Sequence, residues 1–184
     1  LARTLGLMNH AAARLAFLHR EFATLSIVAA FATRDRDWPI YAKFATAEDR
    51  SQVQTWVRQQ LRARTAQYAN ALIEGETHVL NIADLSKDAT DKFGRVLFDN
   101  KLRFGIAQKV FNLNLKYLWL AELVRKPPHC PIDGQVRDEA KLLYQWTRSD
   151  SREDYEAAIA ALRRKYPGQD LAEWELIAFE GRRK

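Results

Sequence analysis

The segment FGIAQKVFNLNLKYLWLAEL, residues 104–123, decides the fold of this chain. It is the most apolar stretch, and its apolar residues recur with the three-to-four residue period of an α-helix. The segment contains no proline, and Gly105 is its single glycine. Lys109 and Lys116 are seven positions apart, which places them on one face two turns apart. We therefore predict an apolar helix that carries two lysines on one side.

The rest of the sequence is helical in pattern as well. Glycine and proline are few, with 7 and 5 residues, and alternating strand patterns are absent. We therefore predict an all-α fold. Gly75 is expected to end the second helix, followed by an extended or irregular stretch over 77–85. The predicted helices cover 4–32, 46–74, 86–100, 104–123, 133–146, the region around 155–165, and 170–179.

Length and composition narrow the class of protein. A chain of 184 residues suffices for one compact domain or two small lobes, and a hydrophobic fraction of 47% excludes a disordered chain. The net charge of +6 favours an anionic partner, nucleic acid first. No apolar run reaches the roughly 18 residues of a membrane span, so we predict a cytoplasmic, nucleoid-associated protein without membrane contact.

Several common sites are excluded by the sequence. The one cysteine, Cys130, forms no internal disulfide and cannot build a four-cysteine cluster. The four histidines show none of the spacings of zinc sites, and no glycine-rich phosphate-binding loop is present. We therefore predict neither a metal nor an organic cofactor.

The lysine helix and the segment after it carry a recognisable pattern. The helix FGIAQKVFNLNLKYL is followed by Pro-Ile-Asp, ending at Asp133, and near the C-terminus Asp170 and Trp174 stand four positions apart. This pattern resembles the helix-hairpin-helix DNA glycosylase superfamily, nearest the archaeal 8-oxoguanine DNA glycosylase branch. The likeness covers roughly residues 104–180. It departs from the superfamily in its glycine-rich phosphate-binding hairpin, of which only Gly105 stands near Lys109.

The resemblance implies an all-α fold of two lobes with the active site between them. The central lobe would span 45–124, and the second lobe would combine 1–44 with 125–184. It also implies a glycosylase with AP lyase activity that acts as a monomer on double-stranded DNA containing a damaged base, 8-oxoguanine first.

The resemblance assigns roles to individual residues. Lys109 would attack the sugar and form a Schiff base, and Asp133 would stabilise the positive charge of the transition state. Asp170 and Trp174 would hold the excised base. The residues themselves leave plainer interpretations open, with Lys109 as a surface helix lysine, Asp133 and Asp170 as helix caps, and Trp174 as a core residue.

Three basic residues and one further aromatic residue complete the predicted site. Lys101, Arg103 and Lys116 are expected to contact DNA phosphates, and Lys116 is also an alternative nucleophile. Trp38 lies in a charged loop and is either a core residue or a base-stacking one. Two rival functions stay open, namely a non-catalytic all-α module that binds DNA or protein, and a glycosylase for another modified base.

Overall fold

The computed structural model describes residues 9–33 and 35–181, and in these ranges the chain is all-α. The only strand-like feature in the described part is an isolated bridge between Tyr41 and Leu97. None of the described helices is both long and apolar enough to cross a membrane. The helices are α1 (His10–Phe31), α2 (Ala47–Thr65), α3 (Gly75–Phe93), α4 (Phe104–Leu120), α5 (Gly134–Ala140), α6 (Arg152–Lys165) and α7 (Leu171–Gly181), with short 3-10 turns at Ala66–Ala69, Gly94–Val96 and Phe98–Asn100.

Side-chain caps fix where several helices begin. Thr46 and Asp49 form a reciprocal capping box at the start of α2, in which each side chain satisfies a backbone N–H of the other. Ser151 accepts from the Asp154 N–H and caps α6. The start of α2 matches the predicted start at residue 46, whereas the sequence analysis does not single out Ser151 and predicts only a helical region around 155–165.

The prediction for residues 75–85 is wrong. Gly75 begins α3, and the helix continues without a break through the stretch expected to be irregular. The reason is burial: Val79, Ile82 and Leu85 recur every three residues and bury one side of this stretch in the core. This tertiary packing outweighs the local tendency of glycine to end a helix.

Helix α4 is the centre of the fold, as its apolar sequence predicts. Thirteen of the 17 residues of α4 are buried, and the helix packs against α1, α3, α2 and α6. One continuous hydrophobic cluster contains residues from each of the α-helices in the described ranges. Helix α1 belongs to the predicted second lobe, but it packs chiefly on α4 and α2 of the predicted central lobe. The division into two lobes stays a prediction, and residues 1–8 of the proposed second lobe lie outside the described ranges.

Helix α5 is shorter than predicted, and this shortening shapes the site. Lys141 adopts a left-handed conformation with φ of 54° and ends the helix, instead of letting it run to Trp146. The chain then turns back across the start of α4. A Cβ atom at Gly105 would lie 1.9 Å from the Trp146 carbonyl oxygen, so only glycine permits this approach. The Gly105 N–H donates to the Ser149 carbonyl at 2.9 Å.

Candidate active site

Lys109 and Asp133 form an ion pair at the junction of α4 and α5. Lys109 Nζ lies 3.7 Å from Asp133 Oδ2. Asp133 is the N-cap of α5, and its Oδ1 accepts from the backbone N–H groups of Gln135 and Val136. These hydrogen bonds hold the carboxylate by one oxygen and leave the other directed towards the amine. A small shift of either side chain would bring the amine and the carboxylate within hydrogen-bond distance, where a proton can pass between them.

The indole of Trp146 covers the lysine amine. Lys109 Nζ lies 4.0 Å from the centre of the Trp146 ring, within the range of a cation–π contact. The side chain of Lys109 is 11% exposed, whereas that of Asp133 is 25% exposed. The amine is therefore held in a largely dry environment, and the carboxylate faces the more open side of the pair.

Gln108 fixes the backbone that carries Asp133. Its Nε2 donates to the Ile132 carbonyl at 2.6 Å, and the Ile132 N–H donates to Gln108 Oε1 at 3.1 Å. This two-point contact resembles a β-sheet pairing and joins α4 to the loop before α5. Because Gln108 and Ile132 immediately precede Lys109 and Asp133, the contact sets the relative position of the amine and the carboxylate.

A buried polar network extends from Gln108 into the core. Asn112 Nδ2 donates to Gln108 Oε1 and to the Tyr155 hydroxyl, at 3.3 and 3.1 Å. Asn112 Oδ1 lies 2.9 Å from His78 Nε2, and the Tyr68 hydroxyl lies 2.9 Å from His78 Nδ1. An amide oxygen only accepts hydrogen bonds, so Nε2 of His78 carries a proton. Burial lowers the pKa of His78, so the ring is neutral at pH 7. The network therefore braces the candidate site with uncharged groups.

The stability of the network should depend on pH through His78. Burial lowers the pKa of His78 to about 4, from its usual value of 6.5. Below pH 6.5 the unfolded chain binds a proton that the folded chain does not, so folding stability falls as the pH drops towards 4. This single histidine should contribute a slope of about 1.4 kcal/mol per pH unit in that window.

The measurement is urea denaturation of the wild type and of His78→Gln between pH 7 and pH 4.5. The variant is expected to be less stable at pH 7 but to lose stability less steeply on acidification. Equal slopes for the two proteins would contradict a neutral buried His78.

Lys116 does not lie on the surface where it was expected to contact phosphates. Its Nζ is 2.6 Å from Glu175 Oε2, and both side chains are buried. The amine also lies 4.6 Å from the centre of the Phe179 ring. Lys116 and Glu175 thus form a buried ion pair that joins α4 to α7. The Lys116 amine has a structural role here and is not exposed on the surface.

The other two predicted DNA-contacting cations are also engaged within the protein. Arg103 is 1% exposed, and its guanidinium donates to the carbonyls of Trp38, Pro39 and Thr147. Lys101 forms ion pairs with Asp99 and Asp150 and stays partly exposed. Direct phosphate contact by Arg103 is therefore incompatible with its burial.

Asp170 and Trp174, the two residues predicted to hold a base, each contact other groups of the protein. Asp170 caps α7 by accepting from the N–H groups of Ala172 and Glu173, and it pairs with Lys126 at 3.0 Å. Trp174 is half-buried and stacks on Tyr166, with ring centres 4.3 Å apart. Trp174 also lines a narrow groove with residues of α5, the helix that Asp133 caps.

Trp38 packs beside the loop that follows α5. Its ring makes an edge contact with Phe98 and lies 5.7 and 5.8 Å from the guanidinium carbons of Arg103 and Arg148. Arg148 is in the same 145–149 turn as Trp146. Trp38 thus supports the segment that covers Lys109, and its base-stacking role stays a prediction.

Gln108 and Trp146 are the site residues that the sequence did not single out. The sequence signal that could have identified Gln108 is its position in the motif, directly before Lys109. Trp146 had no such signal, because its contact with Lys109 depends on the chain turning back after α5. In the described ranges, no cluster of histidine, cysteine and acidic side chains is suited to hold a metal ion.

No model of a protein family, no curated protein and no solved structure matches this chain.

Proposed function

We propose that this protein is a DNA glycosylase with associated AP lyase activity. The observation that carries the proposal is the contact of 3.7 Å between Lys109 Nζ and Asp133 Oδ2, at a junction where the amine is shielded by Trp146. A lysine and a carboxylate in this arrangement supply the nucleophile and the charge stabilisation that removal of a base through a Schiff base requires. The resemblance of the lysine helix and of the Pro-Ile-Asp segment supports the same reaction.

The proposed reaction begins with proton transfer from the Lys109 ammonium to Asp133. The neutral amine then forms a bond to the sugar C1′ while the C1′–N bond breaks. The bonding electron pair leaves with the base, which takes up the proton held by Asp133. The carboxylate regenerated in this way stabilises the positive charge that develops on the sugar. Loss of a proton and ring opening give the Schiff base, from which removal of a C2′ proton expels the 3′ phosphate.

The proposed substrate is double-stranded DNA with an oxidised or otherwise modified purine, with 8-oxoguanine as the first choice. The choice of base rests on the resemblance. Trp174 offers a half-exposed indole beside α5, with one face against Tyr166, so stacking on a base requires the other face and a widening of the narrow groove. Asp170 is engaged with Lys126, so a role in base recognition requires that this ion pair opens.

A non-catalytic all-α module that binds DNA or protein is the second candidate. The burial of Lys116 and of Arg103 favours the protein-binding form of this module, because these two cations, assigned to DNA contact, bind Glu175 and backbone carbonyls within the protein instead. The same observation also fits a protein in which Lys116 and Arg103 only stabilise the fold.

A panel of duplexes tests the proposal against this alternative. Each duplex carries one modified base, such as 8-oxoguanine, or a pre-formed abasic site, and strand cleavage is followed on denaturing gels. The proposal predicts cleavage of the abasic duplex and of at least one lesion duplex. Binding without cleavage of any duplex would instead favour the non-catalytic module.

A further inference from the structure

The outward face of α2 is polar and lacks acidic side chains after its first turn. Residues 50–73 contain four arginines and neither aspartate nor glutamate. Val53, Val57 and Leu61 are buried, so the opposite side of α2 faces outward. None of the large hydrophobic residues that are exposed in the described ranges belongs to α2. The exposed side chains on its outward face are small or polar, namely Ser51, Gln52, Thr55, Gln59, Arg62 and Ala63.

Positive charge is concentrated where α2 lies beside α1. Arg58 Nε donates to Thr24 Oγ1 of α1 at 3.2 Å. One turn further along α2, Arg62 lies near His19 of α1, and the pKa of His19 is lowered by burial and, after it, by the positive charge of Arg62. Because the residue numbers rise on α2 and fall on α1, the two helices run antiparallel at this contact. His19, Arg58 and Arg62 therefore form one row, which we call the basic edge.

The basic edge has no counter-charge within the protein. Among the residues that the structure describes, neither Arg58 nor Arg62 takes part in an ion pair. Glu48, in the first turn of α2, is ten positions before Arg58, which is about 15 Å along the helix. The other acidic residues of α1, α2 and the facing side of α3 have their own contacts: Glu21 with Arg20, Asp49 with Thr46, and Asp84 and Asp88 with Arg64.

The composition of this surface indicates the kind of partner. Arginine, serine, threonine and glutamine are the side chains that commonly contact phosphates and sugars of DNA. A protein partner would instead favour exposed aromatic or aliphatic residues at the centre of the surface, and α2 offers none. The 19 residues of α2 extend for about 28 Å, close to one turn of duplex DNA at about 34 Å. A surface of this length suits a DNA backbone better than a single phosphate ion.

We propose that the basic edge and the outward face of α2 bind the backbone of duplex DNA, with Arg58 and Arg62 each at a phosphate. The choice of DNA as the partner rests on the function proposed above, but the inference does not need the lyase chemistry of Lys109. These contacts would replace those predicted for Lys116 and Arg103, which are buried. Backbone contacts carry no base information, so this surface would add affinity without selecting a lesion.

Fluorescence anisotropy with two undamaged duplexes of different sequence, measured over a series of salt concentrations, tests the proposal. The double variant Arg58→Gln/Arg62→Gln should weaken binding of both duplexes equally and reduce the slope of log K against log salt by about 2. The matched control is Arg125→Gln/Arg164→Gln, which removes two exposed arginines outside α1 and α2 and should bind as the wild type does.

Arg62→Gln alone keeps the test valid if loss of the hydrogen bond from Arg58 to Thr24 destabilises the protein. Arg62 is exposed, so this variant should keep the wild-type melting temperature and reduce the salt slope by about 1.

The inference and the lyase chemistry fail in different ways. Lys109→Gln should bind undamaged duplexes as the wild type does, and this result would stand even if no DNA is cleaved. The inference is overturned if no duplex is bound, if the double variant keeps the wild-type affinity and salt slope, or if the control loses as much as the double variant. Cleavage of abasic DNA with any of these results would leave the lyase proposal standing and place the DNA contacts elsewhere.

Discussion

Asp133→Asn is expected to leave the fold intact and to slow base release by about 100-fold or more, which is the usual cost of removing a group that stabilises transition-state charge. Asparagine caps helices as well as aspartate does, so the N–H groups of Gln135 and Val136 keep an acceptor. The substitution removes the negative charge that lies 3.7 Å from Lys109 Nζ. Single-turnover base release from a lesion duplex and the melting temperature are the measurements.

Ser151→Asn is the matched control for this variant. It exchanges one N-cap residue for another at the start of α6, away from the ion pair. It should change neither stability nor activity appreciably. If Asp133→Asn were fully active while Asp133→Ala lost stability, Asp133 would be a cap only and the proposed chemistry would lose its carboxylate.

Gly105→Ala is expected to destabilise the protein by about 3 kcal/mol or more, at the upper end of single substitutions. The new Cβ atom would lie 1.9 Å from the Trp146 carbonyl oxygen and 2.8 Å from its carbon, and both belong to the backbone. The start of α4 must then separate from the 145–149 turn and lose the hydrogen bond from the Gly105 N–H to Ser149. Urea denaturation at pH 7 measures the loss.

Gly134→Ala provides the comparison for Gly105→Ala. Gly134 is the first residue of α5, and no atom lies within 4 Å of the position of its Cβ. Alanine there should be neutral or slightly stabilising, because it favours the helix more than glycine does. Equal stability of the two variants would show that α4 and the 145–149 turn are not in close contact.

The sequence predicts the parts of the fold that depend on local pattern. Helix α4 follows from its apolar period, and the starts of α2 and α7 follow from caps within three residues, Thr46 and Asp170. The prediction at Gly75 is wrong because the tendency of glycine to end a helix is weaker than the stabilisation from burying Val79 and Ile82. That burial depends on the packed core. No clear sequence signal marks the left-handed conformation of Lys141, so the sequence does not predict the early end of α5.

The sequence likewise predicts the part of the candidate site that depends on a local motif, but not its tertiary contacts. The sequence motif predicts Lys109 and Asp133 as a pair, and their side chains lie side by side. The charges of Lys116 and Arg103 suggested a surface role, but their partners are remote in sequence: Glu175 for Lys116, and three backbone carbonyls for Arg103. Sequence pattern does not identify such partners, since burial and pairing are set by the tertiary fold.

The central claim is that Lys109 forms a covalent Schiff base with DNA, and borohydride trapping tests it most directly. The protein is incubated with abasic and lesion-containing duplexes in the presence of borohydride, and the crosslinked peptide is located by mass spectrometry. We expect a crosslink at Lys109 in the wild type and none in Lys109→Gln. No crosslink on any duplex, or one that persists in Lys109→Gln and maps to Lys116, would contradict the assignment of Lys109 as the nucleophile.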